Sequence, residues 1–127
     1  MSGITVLIVD DSSVMRKIVG RALRQAGLDL VRVIEAGSGR EGLTVLEREQ
    51  VSLIVSDINM PSMDGLEFLR QIQSHSLAHG VPIVMITTES GEDHVREALA
   101  AGAQGYIRKP FTPDQVRERV LPLLVLA

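Results

Sequence analysis

Asp10 and Asp11 directly follow the apolar run "ITVLIV", Asp57 closes "LIVSD", Thr87 closes "VPIVMIT", and Lys109 comes shortly after "GYI". Each has an ordinary use when taken alone. Asp11 can help start a helix at Ser12 and Ser13, Thr87 can satisfy a strand end, and Lys109 can be a solvated charge. Brought to one place they describe something else. Clustered carboxylates repel and desolvate one another unless they share a cation. An all-oxygen donor set in a chain without cysteine points to Mg²⁺, with Mn²⁺ also admissible. Lys109 then adds a mobile positive charge and Thr87 a neutral hydroxyl, which together suit a phosphoryl group. With no Cys and no Ser–His–Asp spacing, the available nucleophile is a carboxylate, and an aspartyl phosphate is the expected covalent species.

Positioning these residues together is the task of the intervening pattern. The runs at 4–9, 51–56 and 81–87 are apolar almost without interruption, as strands covered on both faces of a parallel sheet are. "LVRVIEA" (30–36), broken by Arg32 and Glu35, suits one edge, and "GYI" (105–107) suits the other. Capping-box spacing at Ser38 and Glu41 and at Asp64 and Glu67, and the Thr112–Pro113–Gln115 start, mark helices between strands; Gly27 and Gly102 mark stops. Five alternations of strand and helix predict a doubly wound α/β sheet. In such a sheet ligands bind beyond the carboxyl ends of the strands, which is where Asp10, Asp11, Asp57, Thr87 and Lys109 all fall.

Bulk properties narrow the function classes. A chain of 127 residues, 45% hydrophobic and 23% charged, is read as one domain over 1–127 with no linker. Its net charge of −3 offers no general attraction to nucleic acid or to an anionic membrane. The apolar tail "LPLLVLA" is far short of a spanning helix, and no signal peptide is evident, so a cytoplasmic monomer is expected.

The stretches "VLIVDDSSVMRKI", "SDINMPSMDGLEFL", "PIVMITTES" and "GYIRKPF" resemble, in order and spacing, the motifs of the response-regulator receiver family of two-component systems, in its single-domain chemotaxis (CheY) form. The resemblance covers about residues 4–121 and implies a flavodoxin-like sheet of strand order 2-1-3-4-5. It implies that Asp57 accepts a phosphoryl group from a sensor histidine kinase. Asp11 and Asp57 would supply carboxylates to Mg²⁺, Asn59 its backbone carbonyl, and Asp10 a contact through water. Lys109 and Thr87 would bind phosphoryl oxygens, and Tyr106 would move inward with Thr87. The Lys109–Pro110 bond is cis in relatives. Asn59 and Glu89 flank the phosphoryl position and are expected to set its lifetime. Val95, Arg96, Tyr106 and Arg119 are expected on the partner surface, with a flagellar switch protein as target. The module would catalyse its own phosphotransfer and dephosphorylation without being a conventional enzyme.

Other readings are weaker. A phosphorelay receiver would pass its phosphate on to a histidine phosphotransfer protein. A small Mg²⁺-dependent phosphatase of the haloacid dehalogenase type wants a second carboxylate where Asn59 stands. A flavin carrier would have its phosphate repelled by "DDSSVM". His75 and His79 have zinc-pair spacing but no third ligand, and are read with His94 as solvated. Pro122 is expected to kink or end the last helix near Leu121, leaving an exposed apolar tail. Neutralising Asp11 is expected to raise stability without metal.

Overall fold

The computed structural model describes the backbone of residues 3–88 and 92–125, with their side chains other than those of 92–94 and 125. Strands and helices alternate as β1 (Ile4–Val9), α1 (Ser13–Gln25), β2 (Leu30–Ala36), α2 (Gly39–Arg48), β3 (Leu53–Asp57), α3 (Gly65–Ser74), β4 (Ile83–Thr87), α4 (Glu92–Ala100), β5 (Gly105–Arg108) and α5 (Pro113–Val125). All neighbouring strands are parallel, in the order β2-β1-β3-β4-β5.

The strands with continuous apolar runs are the inner ones, because helices cover both faces of the sheet and each face needs its own apolar side chains. Val6 and Ile8 of β1 point into a layer completed by Val19 and Leu23 of α1 and Val116 and Val120 of α5. Leu7 and Val9 point into the opposite layer, with Leu46 of α2, Phe68, Leu69 and Ile72 of α3, and Ala98 of α4. β3 and β4 begin two residues later than their apolar runs. Ser52 instead hydrogen-bonds with Thr5 by both its N–H and its hydroxyl, and Pro82, which has no N–H, accepts from Ile54 N at 3.0 Å.

The helix signals act as their chemistry requires. Ser12, Ser38 and Asp64 each accept the N–H three residues on, and Thr112 and Gln115 cap one another reciprocally. Gly27 closes α1 at φ +101°, its N–H bonded to Arg24 O while Leu28 N returns to Leu23 O. Gly65 is required by close approach: a Cβ there would lie 2.4 Å from the carbonyl oxygen of Asp57, so only glycine lets α3 dock under the end of β3.

Pro122 departs from expectation. α5 does not end near Leu121 but runs through Pro122 to Val125, and Leu124 is buried in the core rather than exposed. Burying Leu124 and packing Leu123 against the same layer offset the single hydrogen bond that proline cannot make.

The outer strand β2 is tied to α1 by charge. Glu35 accepts Arg16 Nε at 2.8 Å and Lys17 Nζ at 2.5 Å, and these partners, Lys17 foremost, hold its carboxyl below the ordinary glutamate range. A lowered native value means the contribution is fully present above Glu35's ordinary value of 4.5 and is lost as the pH falls through the native one. Thermal melts of wild type and Glu35→Gln are therefore expected to differ most at neutral pH and to converge as the pH falls below 4.5 and on through the native value.

Candidate functional site

Register decides which side chains meet. Val9 pairs with Ala36 on one side and Ser56 on the other, so the next residue of β1's chain, Asp10, arrives beside Asp57, the last residue of β3. Oxygens of Asp10, Asp11 and Asp57 all lie within 4.8 Å of one another. Asp10 is 2% and Asp57 5% exposed, while Asp11 stands at the solvent side. Lys109, which follows β5, places Nζ 3.2 Å from Asp57 Oδ2 and 3.9 Å from Asp10 Oδ2. Its backbone N–H donates to Thr87 O at 2.7 Å, and the Lys109–Pro110 bond is cis.

The two buried carboxylates are each held by a local N–H group. Asp10 Oδ1 accepts Ser12 N at 2.9 Å, and Asp57 Oδ1 accepts Asn59 N at 3.2 Å. Asp10 Oδ2 is buried without a hydrogen-bond partner, at the long end of reach for Lys109. Burial raises the Asp10 carboxyl above its ordinary range, with Asp57 and Asp11 adding to the rise against Ser12 and Lys109. One lysine among three carboxylates leaves excess negative charge and an orphaned oxygen. The residues therefore fit a hard divalent cation, with oxygens only and a solvent side for water ligands.

Thr87 reaches the same rim and is 1% exposed, but its hydroxyl donates to Thr88 O at 3.2 Å rather than to any of the carboxylates. Asn59 is exposed beside Asp57, whereas Glu89 lies outside the described residues. Tyr106 is half-buried, with Arg119 Cζ 4.8 Å from its ring centroid, and Arg96 and Arg119 are exposed. Val95 corrects the expected surface: at 7% exposure it faces inward with Ala98, and the exposed apolar residue of α4 is Leu99. Ala98 and Leu99 follow Val95 by three and four residues, so all three lie on one stripe of the helix, with Ala98 and Val95 turned to the core and Leu99 at its solvent margin.

The histidines bring no metal centre among the described residues. His75 caps α3 and His79 is exposed, while the side chain of His94 is not among those described. Sequence reasoning missed one contributor. Arg16 donates from Nη1 to the backbone carbonyl of Asp10 at 2.7 Å, and nothing local in "SSVMRK" marks that contact.

The burial falls on Asp10, so the stability gain expected from neutralising Asp11 belongs to Asp10 instead. In metal-free buffer, Asp10→Asn is expected to raise the thermal midpoint by on the order of 5 °C, and to show less of the further rise expected of the wild type in MgCl₂. Circular-dichroism melts with and without Mg²⁺ check both; a lower midpoint for Asp10→Asn would refute the assignment.

A family model for the response regulator receiver domain matches residues 6–121. A chemotaxis protein CheY homolog of Campylobacter jejuni is 41% identical over 93% of this chain and 90% of its own length. Chemotaxis protein CheY1 of Helicobacter pylori is 41% identical over 90% of this chain and 91% of its own. The structure of chemotaxis response regulator CheY4 of Vibrio cholerae superposes with TM-score 0.82 at 36% identity, covering 97% of this chain and 100% of that one. Together with an acidic pocket at the carboxyl ends of a 2-1-3-4-5 parallel sheet, these likenesses place the chain in the response regulator receiver family, as a CheY-like member.

Proposed function

We propose that the protein is a phosphorylation-activated response regulator, acting in chemotaxis as a cytoplasmic, monomeric, single domain over 1–127. Asp57 is its phosphoacceptor, and a sensor histidine kinase is the donor. The observation that carries this reading is a nearly buried Asp57 with Lys109 at 3.2 Å and two further carboxylates within 4.8 Å.

One Asp57 oxygen attacks the phosphorus of a phosphohistidine. The P–N bond breaks and its electron pair returns to the imidazole. Asn59 N–H steadies Asp57 Oδ1, so the carboxylate meets its donor already oriented. Lys109, now paired with Asp57 Oδ2, is within reach of a phosphoryl oxygen on that carboxylate. Thr87 must turn its hydroxyl from Thr88 O to reach another. Asp11, Asp57 and the Asn59 carbonyl would hold Mg²⁺, with Asp10 acting through water; when bound, the ion neutralises charge on the transferring group. Dephosphorylation reverses the bonding, as water attacks phosphorus and the Asp57 oxygen leaves. By family resemblance Asn59, exposed beside Asp57, and Glu89 would tune this step.

Incubation with a radiolabelled small-molecule phosphodonor and Mg²⁺ is expected to label the protein, and Asp57→Asn to abolish the label. Substituting Asn59 and Glu89 by alanine is expected to change the label's decay rate by severalfold. Label retained in Asp57→Asn would overturn the assignment.

The output surface is the strip around β5 and α5. An open cleft of about 470 Å³ lies there, lined by Tyr106, Arg108, Pro110, Gln115 and Arg119 among others. Its arginines suit an acidic segment, and the chemotaxis relatives make a flagellar switch protein the favoured partner. Affinity for such a segment is expected to rise with beryllofluoride and to fall about tenfold in Arg119→Glu, as read by fluorescence anisotropy of the labelled peptide. Unchanged affinity in Arg119→Glu would move the output surface elsewhere.

A further inference from the structure

Asp10 and Asp11 are joined by a single peptide group, and the orientation of that group decides how their two side chains are presented. The peptide before it is anchored by the sheet: Asp10 N, of the Val9–Asp10 peptide, donates to Ala36 O at 3.1 Å, one step beyond the last paired residues of β1 and β2. A parallel ladder would next offer the Asp10 carbonyl an N–H from residue 38. That residue has already left the strand: Ser38 is the N-cap of α2, and Gly37 N is bonded to Glu41 Oε2 at 2.7 Å. Arg16 takes the vacant rung, donating from Nη1 to Asp10 O at 2.7 Å while its Nε bonds Glu35 Oε1 at 2.8 Å. The guanidinium is rigid and planar, so a carboxylate fixed on β2 aims the donor that fixes the Asp10–Asp11 peptide. Both side chains are largely sheltered, Arg16 at 17% and Glu35 at 24% exposure, which limits competition from water.

We propose that Arg16, aimed by Glu35, is a positioning residue for the divalent-cation site, holding the Asp10–Asp11 peptide so that both carboxylates face one ion. The inference rests on the reading that Asp10, Asp11 and Asp57 bind Mg²⁺. It makes a prediction opposite in sign to simple electrostatics. Arg16 is a cation beside a cation-binding rim, so on charge alone its removal tightens Mg²⁺ binding. If Arg16 acts by holding the peptide, its removal weakens binding.

Titration calorimetry of the full chain with MgCl₂ at fixed ionic strength separates the two, and suits a protein with no Trp. Arg16→Met is expected to bind Mg²⁺ roughly three- to tenfold more weakly than wild type. Arg16→Lys, which keeps the charge but not the planar fork, is expected to be weakened as well. Arg24→Met, the same charge change at an exposed position late in α1, is expected to bind as wild type or slightly more tightly. Melts without metal show whether each variant folds; should Arg16→Met not fold, Arg16→Lys carries the test.

Asp57 labelling in the Arg16 variants is expected to slow at low Mg²⁺ and to recover when Mg²⁺ is saturating. Wild-type or tighter Mg²⁺ binding by both Arg16 variants overturns the proposal, as does a labelling defect that saturating Mg²⁺ leaves in place. Absence of Mg²⁺ binding to the wild type overturns the cation site itself, and this inference with it.

Discussion

The register of β1 against β3 is the constraint on which everything else in this molecule rests. Pairing Ile8 with Val55 and Val9 with Ser56 delivers Asp10 and Asp57 side by side into a nearly dry rim. A slip of one residue in that register would turn every side chain of β3 to the other layer, exchanging Leu53 and Val55 for Ile54 and Ser56. The hydrophobic effect that fixes the register therefore also enforces the electrostatic crowding. The core holds the carboxylates together, and Lys109 relieves only part of their repulsion.

Much of this was legible because the chemistry sits where strands end. Continuous apolar runs identify β1, β3 and β4 as inner strands, and in an α/β sheet their carboxyl ends face one way, so Asp10, Asp57 and Thr87 could be placed together from sequence. Caps at Ser38, Asp64 and Thr112 were legible for a similar reason, being chemistry within three residues along the chain.

What escaped reading depends on distance or on phase. Glu35 looked like an interruption in an edge strand, yet it is the anchor of Arg16, nineteen residues earlier in the chain. An ion pair across two elements leaves no local pattern. Val95 escaped because Val95, Ala98 and Leu99 form one i, i+3, i+4 stripe on a nine-residue helix, and the spacing does not say which member of the stripe the core covers and which stays at its margin. Pro122 escaped because the penalty for proline is local, whereas the burial of Leu124 that offsets it depends on a layer built by β1, β3 and α1.

β5 has a further consequence. It is four residues long, with a hydrogen-bonded neighbour on one side only, and it leads directly to Lys109 while carrying Tyr106. Any rearrangement drawn by Lys109 is thus delivered to the part of the sheet with the fewest bonds resisting it, while the strands bearing the acidic cluster stay clamped from both sides. The molecule divides into a stiff half that holds charge and a compliant margin that can report on it. Such a division lets the margin's outward residues change in evolution to suit new listeners without disturbing the acids.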